Sequence, residues 1–600
     1  MQIFAPFIFG VLSNIYISFE NNFSHIFFYY YLALFSALAL SLAFNARRIS
    51  RYFEKVNSEY YRLLLIAVLA FVLLEVTFVQ NYHLIYNDEY IYMSMAKSIL
   101  VDHIWGICSF STATNCVPGT IGFFHQPGGW SFLLALAFGA FGIHLSVAYA
   151  LTFLLGVASI VLIFFVSYLI FRDERPALMA SVALASMPLF MSYSRTSIPD
   201  ISVLAFILLS VLLSLIYLKK RDIWIGVSAL LAIAYLMTIK VDSVVIMPVV
   251  LIFAAAYWSE SRQGNSRAKK IEFAALLLIF AAAIAPQVVF LYHSSLDTFG
   301  AAIYSNQSKI SIQNFEGNVA QNAEFWFGAF DAVRNRGIGY NNFVYNIAFP
   351  VTTTIFAIVG VAGLIAKRRF RELAALLLMF AVIFVFYTSF YAGGVTYGLG
   401  VDTRYFLGDF AVIAMLSGFG FVYLYEITKG AIRSRARQIP GGIGFYIMSV
   451  LLVLFLLLPA FQFMTITSHS PSTIATYAGE RADESFILSN LNKIPLNCTV
   501  MTFQPPLWYV NGRADIYATW ANIPQYARTL SNMSKCMYFD YDLTCYVGSA
   551  NGTGYQNTHT ECSSMLRNYT VEDVASQNYT GYSWNVTFHI YKILGRNTTR

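Results

Sequence analysis

The chain has 600 residues, of which 58% are hydrophobic and only 12% charged, with a mean hydropathy of +0.60 and a formal net charge of +7. A water-soluble protein carries about 25% charged residues, so this composition excludes a soluble globular chain. The modest positive charge does not mark a nucleic-acid binder; in a membrane protein the basic residues report orientation.

Apolar runs near the roughly 18 residues needed to cross a bilayer recur along the chain. They predict thirteen spans, at 3–18, 26–44, 63–79, 146–171, 177–193, 201–218, 223–239, 243–258, 273–291, 346–366, 373–391, 409–425 and 443–464. The first lacks a basic start and a small-residue cleavage site, so it reads as a retained helix rather than a signal peptide. The expected fold is a polytopic α-helical membrane protein. Its parts are 1–62, with two N-terminal spans and a basic loop; 63–464, the core spans with a large loop at 80–145; and 465–600, a soluble domain.

Orientation follows from the connecting loops. Six short loops, from Arg47–Arg62 to Lys429–Arg437, hold 22 of the chain's 38 Lys and Arg residues. The positive-inside rule makes them cytoplasmic. The opposite loops, at 80–145, 194–200, 240–242, 292–345 and 392–408, and everything after 465 are then external. The nine Asn-x-Ser/Thr sequons, at Asn22, Asn306, Asn497, Asn532, Asn551, Asn568, Asn578, Asn585 and Asn597, all fall on that side.

All six cysteines, Cys108, Cys116, Cys498, Cys536, Cys545 and Cys562, also lie there. That placement points to disulfides in an oxidising compartment, the alternative being free thiols. Cys108 and Cys116 form a local candidate pair; the other four allow three pairings. After Thr465 short strand-like runs (499–503, 516–518, 536–539 and 587–593) alternate with helix-compatible stretches at 480–492 and 522–530. This predicts a small external α/β domain.

Three charged clusters stand at external span ends. Asn87-Asp88-Glu89-Tyr90 follows the run 63–79, and paired carboxylates beside a membrane are costly unless used. A partly desolvated Asp88 or Glu89 is suited to act as a general base toward an acceptor hydroxyl. The same residues also suit the cap of the helix that follows; the two roles are compatible. Arg195-Thr-Ser-Ile-Pro199-Asp200 is the second cluster, readable as a surface ion pair or a helix start. Lys240, an exception to the positive-inside bias, calls for an anionic partner, either Asp242 or a lipid phosphate.

The third cluster is Asp402-Thr-Arg404-Tyr405. An Arg at a membrane face can grip a lipid-linked phosphate bidentately, and the glycines at 393–400 free that loop to close; the simpler reading is a flexible loop with an interfacial Arg. His125-Gln-Pro127-Gly-Gly-Trp130 ends the first large loop. His125 is a candidate contact to a phosphate or sugar hydroxyl, although a turn with interfacial His and Trp explains it as well. No Walker or Rossmann glycine pattern and no spaced metal-ligand motif occurs; no cofactor is required, and a divalent metal, though compatible, is not indicated.

In order and sidedness, Asp88-Glu89, Gln126-Pro127, Arg195…Pro199-Asp200, Lys240 and Arg404-Tyr405 resemble the GT-C glycosyltransferases that use polyprenyl-phosphate sugars. The nearest group is the dolichyl-phosphate-mannose protein mannosyltransferase and aminoarabinose-transferase superfamily, over about 60–465. The resemblance implies Asp88 as catalytic base, Glu89 in acceptor positioning and Asp200 as a second acidic site residue. Arg404, Lys240 and Arg195 would hold the donor phosphate, with Tyr90, Asp402 and Tyr405 nearby on acceptor or loop positions. Three departures stand out: His125-Gln-Pro127-Gly replaces a common Lys-Pro-Pro, the two spans before Leu63 are extra, and the Trp-Trp-Asp-Tyr-Gly motif of en bloc transfer is absent.

The implied activity is transfer of mannose or another hexose, with inversion, from a polyprenyl or dolichyl phosphate to a protein, lipid or glycan hydroxyl on the external face. The implied site is an archaeal-like plasma membrane, with a eukaryotic secretory membrane as the second choice. A transporter or flippase of lipid-linked sugars is the rival reading, but it would place charges near the bilayer midplane. A surface protein merely anchored by its helices is the other, and thirteen spans exceed that need.

Overall fold

The computed structural model describes residues 23–79, 86–117, 120–122, 126–257, 267–296, 310–326, 351–390, 401–435, 482–517, 536–541, 546–548, 555–558, 566–580 and 585–596. The expected spans at 3–18 and 443–464 lie outside these residues. The described helices begin with α1 (Phe23–Ser50), α2 (Ser58–Phe78), α3 (Tyr86–Val101), α4 (Gly129–Phe141), α5 (Leu145–Phe171), α6 (Glu174–Ala185) and α7 (Pro188–Tyr193). They continue with α8 (Asp200–Lys220), α9 (Ile223–Ile239), α10 (Ile246–Tyr257), α11 (Arg267–Leu296), α12 (Ile312–Trp326), α13 (Val351–Ala366), α14 (Phe370–Thr388), α15 (Leu407–Arg435) and α16 (482–490). Seven of the described helices are long and apolar enough to cross a membrane, and four shorter apolar helices accompany them.

The predicted span 177–193 is instead two helices. Pro188, which lacks an N–H to donate back, opens α7 after a break at Ser186-Met187. Asn57, Asp173 and Asp222 cap α2, α6 and α9 by accepting from backbone N–H groups two residues on. Asp222 also pairs with Arg48 at 3.2 Å, and Asn45 of α1 donates to Ser228 and to the Trp224 carbonyl of α9.

The chain divides into two compact units. The helical unit comprises Ala37–Ile85 and Ala148–Tyr477. Among the described residues, α13 and α15 approach so closely that their backbones touch: a Cβ on Gly420 would sit 1.9 Å from the Phe356 carbonyl, and one on Gly360 2.1 Å from that of Leu416. Basic turns collect at one end of this unit. There Arg369 donates to the Ile170 and Phe171 carbonyls and Lys219 to that of Leu169, capping the C-terminus of α5.

The sheet unit comprises Met1–Ser36, Tyr86–Val147 and Ala478–Arg600. Its described strands are β1 (Ile107–Cys108), β2 (Ile121–Gly122), β3 (Thr499–Thr502), β4 (Ala514–Tyr517), β5 (Met537–Asp540), β6 (Tyr546–Gly548), β7 (Tyr555–Thr558), β8 (Tyr569–Thr580) and β9 (Asn585–Arg596), of which five form a sheet of order β4-β3-β5-β9-β8. β3 pairs parallel with β4 and β5; β9 runs antiparallel to β5 and β8. A short helix α17 (Pro505–Val510) follows β3. The first large loop belongs to this same unit: Phe110 bridges Ile516, Ser111 N–H donates to the Asp515 carbonyl at 2.9 Å, and Phe110 joins the core of Met501, Ile516, Phe539 and Tyr541. Edge strand β4 is therefore covered rather than open.

Disulfides join Cys108 to Cys116 and Cys498 to Cys536. Cys545 and Cys562 lie outside the described residues. Gly128, in the Gln126-Pro127-Gly-Gly turn, donates to the Tyr31 hydroxyl at 2.9 Å, and any Cβ there would fall 2.2 Å from the Trp105 ring. Close packing on Trp105, not backbone conformation, demands that glycine.

Candidate active site

Within the helical unit the ends of α8, α9, α14 and α15 opposite the basic turns enclose a small cleft. It is lined by Asp200, Lys240, Tyr387, Arg404 and Tyr405 with apolar Ile207, Val245 and Ile383 beneath. Local structure explains the convergence. Asp200 is the first residue of α8, and Lys240 ends α9 in extended backbone before a 3-10 turn, Val241–Val245, that carries Asp242. Arg404 and Tyr405 occupy a second 3-10 turn, Val401–Phe406, at the start of α15.

Lys240 is the centre of this cluster. Its ammonium donates to Asp200 Oδ1 at 2.7 Å, stands 3.5 Å from Asp242 Oδ2, and lies 4.2 Å from the Tyr405 ring centroid. Both Lys240 and Asp200 are buried, so the charges depend on each other for their place in a low-dielectric site. Asp242, the protein anion expected from the sequence, is within reach, but Asp200, which the sequence reading did not pair with this lysine, holds it more closely. Arg404 donates to the Tyr405 hydroxyl at 3.1 Å, and the Tyr405 ring stacks on Tyr387 at 5.5 Å. The cleft's open volume is about 10 Å³, room for about one water.

Not every expected residue joins this cluster. Arg195 turns to α2: its Nε donates to the Val79 carbonyl at 3.3 Å and stands 4.0 Å from the Glu75 carboxylate, with its guanidinium over Phe153. Glu75 is fully buried, and neither of its oxygens has a hydrogen-bond partner among the described residues. The sequence reading missed it, although an ionisable residue inside the run 63–79 is itself a signal. Tyr387 was missed too, since a Tyr at a span end is ordinary in an interfacial belt. Asp402 lies in the same 3-10 turn as Arg404; His125 lies outside the described residues.

In the sheet unit, Asp88 and Glu89 occupy the first turn of α3. Glu89 is fully buried and Asp88 partly exposed. Tyr90 is buried, and its hydroxyl donates to Glu484 of α16. Two turns on, Lys97 donates to the Tyr509 carbonyl at 2.6 Å and covers the Tyr509 ring at 4.1 Å. Burial lowers its pKa to about 8, against the opposing pull of Asp515 and Asp102. Burial likewise raises the Asp515 carboxyl well above its ordinary range, while Ser111 donates to it at 2.6 Å.

Residues 125–290, the stretch containing Arg195, Asp200 and Lys240, match the family model of dolichyl-phosphate-mannose-protein mannosyltransferase. No curated protein matches the chain. Among solved structures, ArnT from Cupriavidus metallidurans in the apo state is 11% identical, with a TM-score of 0.52, over 90% of this chain and 98% of that one. ArnT bound to undecaprenyl phosphate gives 11% and 0.51 over 88% and 97%. The archaeal oligosaccharyltransferase AglB from Archaeoglobus fulgidus, in complex with an inhibitory peptide and a dolichol-phosphate, gives 14% and 0.47 over 89% and 74%. The fold is that of the solved ArnT structures.

Proposed function

We propose that this GT-C protein transfers a hexose, mannose first among the candidates, from a polyprenyl-phosphate carrier to an acceptor hydroxyl at the external membrane face. The cleft that gathers Asp200, Lys240, Arg404 and Tyr405 carries this reading, because it sets two cations and two aromatic hydroxyls beside apolar side chains at helix ends. That combination suits a phosphate on a hydrocarbon tail. Asp200 is assigned the counter-ion role that holds the Lys240 ammonium in place.

Asp88 is assigned as the base. Its carboxylate takes the proton of the acceptor hydroxyl, the oxygen attacks the anomeric carbon opposite the phosphate, and the carbon–oxygen bond to phosphate breaks. The electron pair leaves on the phosphate oxygen, where Arg404 and Lys240 offset the charge. Inversion follows from a single displacement. Glu89 is assigned to acceptor positioning, and Arg195 to anchoring the turn that leads into Asp200. The basic turns are assigned to the cytoplasm and the sheet unit to the outside of an archaeal-like plasma membrane.

The test is incubation of the purified protein with a panel of polyprenyl-phosphate sugars, scored by release of free polyprenyl phosphate. Asp88→Asn is expected to lower that release by about 10²–10⁴-fold while the protein elutes as the same folded species. Wild-type release by that variant removes Asp88 from the reaction. Sugar crossing sealed vesicles with no carrier phosphate released would make the protein a flippase.

A further inference from the structure

The sheet domain grips α3 along one face. Tyr90 and Lys97 are seven residues apart, so they lie within roughly 20° of each other around the helix. Both bind the C-terminal segment, Tyr90 through Glu484 and Lys97 through the Tyr509 carbonyl and ring. Just beyond α3, Asp102 accepts from the Tyr509 hydroxyl at 3.2 Å and from Cys116 N–H at 3.2 Å. Asp88 precedes Tyr90 by two residues, which turns it roughly 160° away, to the opposite face. Its partial exposure beside buried Glu89 and Tyr90 agrees with that turn.

Glu484 is itself rigidly held. The α16 helix packs Phe486 on Phe588 of β9 at 5.7 Å. Its C-terminal continuation is fixed by Arg513, whose guanidinium donates to the Leu491 carbonyl at 2.8 and 3.1 Å. Glu484 is buried, so its carboxylate is a strong acceptor for the Tyr90 hydroxyl.

We propose that Glu484, nearly 400 residues from Asp88 in sequence, is a positioning residue that sets the angle at which the first turn of α3 presents the Asp88 carboxylate. The proposal rests on Asp88 being the base. The external domain is then part of the transfer machinery: it fixes the rotation of the helix that bears the base.

The experiment uses the full chain in nanodiscs, with hydrogen exchange read at 86–93 and at β9, and with dolichyl-phosphate mannose as the donor probe. Tyr90→Phe and Glu484→Leu are each expected to speed exchange at 86–93 about tenfold, the loss of one buried hydrogen bond, with β9 unchanged. Both should lower kcat about tenfold to a hundredfold, as misplacement of a catalytic group does, while KM for the donor stays level. The double variant should be no worse than the poorer single. Glu484→Gln, which keeps an acceptor oxygen, should restore most of the rate. Unchanged exchange at 86–93, which needs no donor to measure, overturns the proposal, and so does faster exchange at β9, which would mean that the domain has simply loosened. Asp88→Asn separates the two ideas. If it is dead while Tyr90→Phe and Glu484→Leu turn over normally, only the positioning role falls; if it is active, the assignment of the base falls.

Discussion

Lys240 shows what a single residue must satisfy at a membrane face. Its ammonium is buried between Asp200 and Asp242, and removing one member of a buried pair leaves the other charge uncompensated. Lys240→Met is expected to destabilise the helical unit by about 3–5 kcal/mol, and Lys240→Met with Asp200→Asn by less, as measured by thermal unfolding in detergent. A double variant as unstable as the sum of its singles would show that the two residues are independent. Lys97 makes a pH-dependent prediction. Its pKa falls from 10.5 to about 8 on folding, so below about 8 both states hold the proton and burial of the charge opposes folding in full. Between those values the unfolded chain binds more protons, and stability rises with pH. Exchange at the β3 amides should therefore slow from about pH 7 to about pH 9.5, after correction for intrinsic rates, and Lys97→Met should lose that trend. At this scale the sequence exposed the charged residues of the clusters but not all their partners: Lys240 was visibly in need of an anion, read as Asp242 or a lipid phosphate, and finding Asp200 required the packing of α8 on α9.

Elements meet where side chains permit it. The contact of α13 with α15 depends on glycine, since a methyl on Gly420 would overlap the Phe356 carbonyl. Gly420→Ala should therefore cost about 1–3 kcal/mol by overpacking. Gly317 in α12 has nothing within 4 Å of the same added atom among the described residues, so Gly317→Ala should stabilise that helix by about 0.5–1 kcal/mol. Opposite shifts of melting temperature check the pair; equal shifts would remove the packing argument. Most described spans were legible because apolar run length is a direct readout of bilayer thickness. The break at Pro188 was passed over because the residues around it are as apolar as a continuous span. Strand β8 was missed for a different reason. It is a sheet edge whose Thr570, Glu572 and Asp573 face solvent, so its composition matches that of a loop.

For the molecule as a whole, the assignment of residues to units is the main finding. The loop that bears Asp88 shares one compact unit with a domain that begins more than 370 residues later. The bond Cys498–Cys536 closes a separation of 38 residues there. Cys498→Ala with Cys536→Ala is expected to destabilise the sheet unit by about 2–4 kcal/mol. Because α3 is docked on that unit, exchange at 86–93 should rise together with exchange at β3 and β5. Rise at the strands alone would uncouple the domain from α3.

By itself, the sequence determined that this chain lives in a membrane, how its loops divide by charge, and which charged residues stand beside its apolar runs. Those properties are local: they follow from run length, charge and spacing, which a chain carries whether or not it is folded. Only the tertiary structure decided that Lys240 holds Asp200 while Arg195 turns to Glu75, and that Tyr90 belongs to Glu484. Each of those pairs joins residues 40 to 394 positions apart, and no local pattern records which distant partner a buried group meets when helices and sheet close around it.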